Sequence, residues 1–134
     1  MLEHKNITIE NINRILEFLP YFESTDNKFF KIDTTDLMYP YLYDKKVLDF
    51  EKALYDENII YSYDWGEWQS EAEKYFNNPE LLKTTDIETI RKLLTLHVRK
   101  ERFCSGHFAS MISSGHIINI LKRLKEFRSK IKSK

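Results

Sequence analysis

The 134-residue sequence has one cysteine, three glycines, three prolines and no long apolar run. Each scarcity excludes something. A single thiol cannot close an intramolecular disulfide, so the core must hold the fold unaided, and a cytoplasmic setting is expected. Few glycines and prolines leave little material for the tight turns of an all-β domain and favour helices with short connections. No stretch approaches the roughly 18 apolar residues of a membrane span, and no signal-peptide pattern opens the chain, so it reads as soluble with no membrane partner. A Gly-rich phosphate loop, an H-E-x-x-H and a G-x-S-x-G are all missing, which removes the motif-borne nucleotide, zinc-peptidase and hydrolase classes.

What is present is aromatic and unevenly charged. Eight tyrosines and nine phenylalanines contribute to an aromatic share of 14%, and a chain of this length is expected to bury about two-thirds of its unfolded surface as one domain, residues 1–134. The net charge of zero hides a polarity: residues 1–89 hold 9 basic and 19 acidic groups, residues 90–134 hold 12 basic and 2 acidic. The two parts can neutralise each other within the fold, pair between chains, or leave a basic face for an anion.

Helical spacing recurs along the chain. After a frayed start over residues 1–7, Thr8 is placed to cap a helix through Ile9, Ile12, Ile15, Leu16 and Leu19, with Pro20 ending it. Residues 21–43 lose periodicity and read as an irregular, aromatic-rich connection. Asp44 is placed to cap a helix with Val47, Leu48, Phe50, Leu54 and Tyr55 on one side, and 59–63 reads as a short extended piece. Trp65, Trp68, Ala72, Tyr75 and Phe76 share a helical stripe, and Asn78-Pro79-Glu80 opens a short helical turn. Thr85-Asp86-Ile87-Glu88 has the form of a capping box for a helix to about Phe103. On it Ile87, Ile90, Leu93, Leu94 and Val98 form the apolar arc, Arg91, Lys92, Arg99 and Arg102 a basic one, and His97 and Glu101 fall one turn apart inside the apolar arc. The last helix, from His116 to about Lys130, buries Ile117, Ile120, Leu121, Leu124 and Phe127 and directs Lys122, Arg123 and Lys130 outward, before a frayed basic tail over 128–134. The expectation is a mainly α, compact single-domain bundle of about five helices.

Candidate chemistry gathers between residues 93 and 124, which hold three of the four histidines, the cysteine and two glycines. Ser105-Gly106 is placed to end one helix and His107 or Phe108 to begin the next, so free N–H groups of a helix start would lie near Arg99, Arg102, Phe103, Gly106 and His107, with His116 a further neighbour, as an anion site. The competing reading has Gly106 merely closing the helix while the arginines pair with the acidic part of the chain. If both are buried, His97 and Glu101 form a pair suited to acid–base work, or else a satisfied polar pair. Cys104 and His107 have C-x-x-H spacing, but a structural zinc site needs a second such pair, so no metal and no cofactor is expected. Cys104 is expected to pack between helices as an inert thiol. Trp65 and Trp68 are read as core in preference to a stacking platform for a base.

Asp64-Trp65, Leu93 to Arg99, Glu101-Arg102-Phe103-Cys104-Ser105-Gly106, Ser114-Gly115 and Ile120-Leu121-Lys122-Arg123-Leu124 together resemble a family of small bacterial and archaeal proteins, domain of unknown function 6508. The likeness covers about residues 45–127, leaves the first forty unmatched, and omits His107 and His116. It implies a small helical fold and no assigned activity.

The functional expectation is a non-enzymatic binding module whose site centres on Arg99, Arg102, Phe103, Gly106 and His107, with nucleic acid or a phosphorylated ligand as partner. A turn followed by a basic helix loosely suggests helix-turn-helix geometry, with Asn119 and Arg123 as base readers. The alternatives are a homo-oligomer joined through its acidic and basic parts, and a small enzyme using His97 and Glu101 with Arg102.

Overall fold

The computed structural model describes residues 7–24, 26 and 28–132. These form α1 (Ile9–Leu16), α2 (Leu19–Glu23), β1 (Phe30–Ile32), β2 (Tyr41–Tyr43), α3 (Lys45–Asp56), α4 (Gln69–Asn77), a 3-10 helix (Pro79–Thr84), α5 (Ile87–Lys100), α6 (His107–Ser113) and α7 (His116–Lys132). The mainly helical single domain agrees with the apolar spacing, but it has seven α-helices in place of about five. Residues 128–132 continue α7 and do not fray; most of the expected frayed start, residues 1–6, and residues 133–134 lie outside the described residues. Among the described residues no helix is long and apolar enough to cross a membrane.

The axis of the bundle is α7, which packs against α1, α2, α5, α6 and the 3-10 helix. Its Ile117, Ile120, Leu121 and Leu124 are wholly buried, and each such side chain removed from water contributes about 1.5–3 kcal/mol. Thr8 caps α1 reciprocally. Its hydroxyl accepts from the Asn11 N–H at 3.2 Å, while Asn11 Oδ1 accepts from the Thr8 N–H at 2.8 Å. Pro20 does not end that helix: α1 stops at Leu16, and Pro20 lies in the first turn of α2, where a missing N–H costs nothing because first-turn amides have no intrahelical acceptor.

The irregular connection expected over 21–43 is partly α2 and partly a hairpin. β1 and β2 pair antiparallel, Phe30 opposite Tyr43 and Ile32 opposite Tyr41. Its long tip is held by two aspartates. Asp33 Oδ1 accepts from the N–H and hydroxyl of Thr35, and Asp36 Oδ1 from the N–H groups of Met38 and Tyr39, the local turn bonding that suits this residue. Rings tie the hairpin inward: Phe22 stacks on Phe29 at 5.7 Å and meets Phe50 edge-on at 5.0 Å, and Tyr43 meets Phe108 at 6.4 Å.

Other corrections follow from where polar groups bond. Residues 59–63, expected as a short extended piece, join no sheet among the described residues; Arg91, placed on the basic arc, is buried and donates from Nε to Ile59 O at 3.0 Å and from Nη2 to Asn58 O at 2.7 Å. Arg123, also expected to face outward, is buried, with Nε donating to Thr85 O at 2.9 Å and the guanidinium over Phe127. Asp86 caps α5 by accepting from the Thr89 N–H, while Thr85 donates its hydroxyl to Leu81 O. Trp65 and Trp68 lie before α4 in a turn, yet both pack against the core. Leu48 and Tyr55, placed by spacing on the buried side of α3, are exposed at 50% and 38%.

Gly106 and Gly115 both take left-handed backbone, φ +91° and +82°. They differ in surroundings. A Cβ on Gly106 would overlap the Tyr41 ring, 2.6 Å from Cζ, whereas one on Gly115 meets nothing within 4 Å. Gly115→Ala is therefore expected to cost about 1 kcal/mol of backbone strain, and Gly106→Ala that strain plus overpacking, at least about 2 kcal/mol. Urea denaturation of the two variants checks the order; equal losses would show that Tyr41 does not press on Gly106.

Candidate functional site

α5 ends at Lys100, and Glu101, its C-cap with helical backbone, reaches forward over the following loop. Its Oε2 accepts from the Gly106 N–H at 3.0 Å, and Oε1 accepts from the Phe108 N–H and the Tyr43 hydroxyl, both at 2.8 Å. The Tyr43 oxygen in turn accepts from the Ala109 N–H at 3.0 Å, and the His107 N–H donates to Cys104 O. The four amides opening α6 are thus all engaged. The free helix start expected as an anion cradle is occupied by the chain's own carboxylate.

Beside this turn lies a surface cavity of about 320 Å³ walled by Tyr39, Tyr41, Tyr43 and Tyr55. Glu51, Glu101 and Arg102 also line it. Glu51 makes no hydrogen bond among the described residues, and its Oε1 is sealed from solvent. Burial first, then the neighbouring Glu101, raise its carboxyl to about 7, against a smaller lowering by Arg102. Arg102 reaches the Tyr55 hydroxyl at 3.5 Å, the outer edge of hydrogen bonding. Arg99 sits 6.0 Å from the Tyr55 ring with its Nε buried and unpartnered.

These two arginines differ from Arg14, Arg91 and Arg123. Arg14 pairs with Glu57, Arg91 with Glu88 and Arg123 with Glu126, and Arg128 donates to Asn13. Arg99 and Arg102 meet no carboxylate within ion-pair distance among the described residues. Among the described residues, the ion pair Arg91–Glu88, three residues apart, joins residues 1–89 to 90–134.

The other expected site residues scatter. Gly106 lies beneath the Tyr41 ring. Phe103 is exposed and rests on Trp65 at 5.8 Å, away from the cavity. His97 does not meet Glu101. It is wholly buried, with Nδ1 2.9 Å from His107 Nε2 and its ring 5.0 Å from that of His116. Phe76 closes this cluster, and Nε2 of both His97 and His116 lacks a partner. Among the described residues no group of three His, Cys, Asp or Glu side chains is arranged to hold a metal ion. Cys104 is exposed, not packed between helices as expected. Arg123, offered as a base reader, is used up in the fold.

Sequence reasoning missed Glu51 and the tyrosines. A signal existed for both. Leu48, Glu51 and Tyr55 fall at i, i+3 and i+7 on one stripe of α3, and Tyr39, Tyr41 and Tyr43 alternate with period two, which puts them on one face of an extended segment.

A family of unknown function (DUF6508) matches residues 7–130. The chain belongs to this family. The match runs well before residue 45, where the resemblance read from motifs began, so the hairpin and the cavity lie inside the family's domain. No curated protein and no solved structure matches the chain.

The histidine cluster makes stability depend on pH. Burial holds His97 well below the ordinary imidazole value, with His116, His107 and Lys100 adding to it; His107 and His116 are lowered to about 4, again chiefly by burial. Unfolding restores imidazoles that bind protons near 6.5, so the unfolded chain takes up protons the folded one refuses. This stability is intact above about pH 6.5 and is lost as pH falls toward 4. The raised Glu51 carboxyl acts oppositely between about 4.5 and 7, one proton against three. Urea midpoints should fall steadily through this window, with a shallower slope for His116→Phe; a flat profile would mean that the rings gain protons inside the fold.

Proposed function

We propose that the chain is a non-enzymatic binding module that takes a small organic anion in the tyrosine-walled cavity, with Arg102 holding the ligand's charge and Arg99 supporting it. The observation that carries this reading is the Arg102 guanidinium lining the cavity with no carboxylate at ion-pair distance among the described residues, and Arg99 near the Tyr55 ring, in a chain whose Arg14, Arg91 and Arg123 are ion-paired. A planar guanidinium is suited to bidentate contact with carboxylate or phosphate. About 320 Å³ of mostly aromatic wall with a few polar groups fits a small ligand. A nucleic acid is less well served, because Arg123 does not reach the surface of α7 and the N–H groups of α6 are engaged. Catalysis by His97 with Glu101 has no support, since the two side chains face different neighbours.

The test is a thermal-shift titration with phenyl phosphate, benzoate and 3-phenylpropionate. At least one is expected to raise Tm by a few degrees near saturation, and Arg102→Glu to abolish the shift while folding normally, because Arg102 is exposed and unpaired. An undiminished shift in that variant, or none with any probe in the wild type, would sink the reading.

The charge polarity supports a second reading, self-association of the acidic part of one chain with the basic part of another. It rests on the division of charge along the chain, 9 basic and 19 acidic groups in residues 1–89 against 12 basic and 2 acidic in 90–134. Sedimentation should then show an oligomer at low salt that dissociates as salt rises; a monomer at every ionic strength excludes it.

A further inference from the structure

The two carboxylates of the cavity are in unlike states. Glu101 accepts two amide N–H bonds and one hydroxyl, so its charge is already met by the fold. Glu51, facing the same space, has no donor among the described residues, and with Oε1 sealed it is Oε2 that can meet a ligand. A buried polar group left without a partner is costly, and this one lies where a ligand would supply what is missing.

The surroundings select the kind of donor. Glu51 is faced by Glu101 and Arg102 from the turn after α5, by Tyr39, Tyr41 and Tyr43 from the hairpin side, and by Tyr55 from its own helix. Tyrosine ring faces and a second carboxylate favour a cation over a neutral N–H. Arg102, on the same wall, favours an anion. A ligand that satisfies both carries both charges, and its apolar body fills the space between the rings without leaving a net charge buried.

We infer that the cavity takes a zwitterion of the α-amino acid class, its carboxylate on Arg102, its ammonium on Glu51 Oε2 and an aromatic or branched apolar side chain among the tyrosines. This rests on the anion-binding reading and adds to it the cationic half and the residue that holds it. The proton balance follows. In the empty cavity Glu51 carries a proton below about pH 7; the incoming ammonium replaces it, and the proton leaves to solvent. Affinity therefore rises with pH up to about 7 and levels off above it, the opposite of an anion that needs Glu51 protonated.

The experiment is isothermal titration of the full chain with L-phenylalanine and L-leucine, and with phenethylamine and 3-phenylpropionate as partners of phenylalanine lacking the carboxylate or the amine. Titrations near pH 6 in two buffers of different ionisation enthalpy read the proton balance. The expected result is one amino acid bound at least about tenfold tighter than either truncated partner, equivalent to about 1.4 kcal/mol, with release of up to one proton. Glu51→Gln should bring the ratio of amino acid to 3-phenylpropionate close to one and remove the proton release. If 3-phenylpropionate binds as tightly as the amino acids, or binding takes up a proton, the zwitterion inference fails and the anion reading stands. Equal binding of phenethylamine overturns the anion reading as well, and no binding by any of the four overturns both.

Discussion

The carboxylate of Glu101 is the constraint on which the rest of this site depends. Because α5 stops one residue earlier, Glu101 is free to reach forward to two amides of the next helix and across to a tyrosine of the hairpin. One side chain thereby caps α6, fixes the loop that carries Arg102 and docks β2. Hydrogen bonds to an ionised acceptor are about twice as strong as neutral ones, and these three converge where the loop would otherwise leave helix amides unpaired. Tyr41 then lies against the bare Cα of Gly106, and the ring wall of the cavity is complete.

Elsewhere the protein sorts its buried polar groups into two kinds. Arg91, Arg123 and Thr95 reach main-chain groups of distant segments and stitch loops to helices. His97, His116, Glu51 and Arg99 keep atoms without partners. The rings of His97 and His116 pack against each other and Phe76, while Glu51 lines the cavity and Arg99 lies behind the Tyr55 ring. That difference in access, more than any motif, separates the structural cluster from the candidate site.

The parts legible in the sequence are those set by local periodicity. Ile117, Ile120, Leu121 and Leu124 mark the buried face of α7, and Thr8 marks the start of α1, because both signals act within a few residues. The hairpin was not legible, since the pairing of Phe30 with Tyr43 is set by contacts with Phe22 and Phe108 and not by alternation within three-residue strands. Arg91 and Arg123 were misplaced for a related reason: spacing locates the Cα on the helix, but a long side chain can bend inward to a carbonyl far away in the chain. Glu101 falls on the apolar arc, but its partners, the amides of Gly106 and Phe108 and the Tyr43 hydroxyl, lie beyond the helix and outside its spacing. Arg102 was singled out from its sequence neighbours, whereas Glu51 was passed over because most of its cavity neighbours come from other parts of the chain.

The bond from Tyr43 to Glu101 spans 58 residues, and the cavity walls come from two segments, 39–55 and 98–105. Loop-closure entropy is paid before such a contact returns anything, so a chain with α5, α6 and α7 already paired but the hairpin undocked has a core and no cavity. The pocket is a product of completed folding, and its occupant would recognise only molecules whose hairpin has closed.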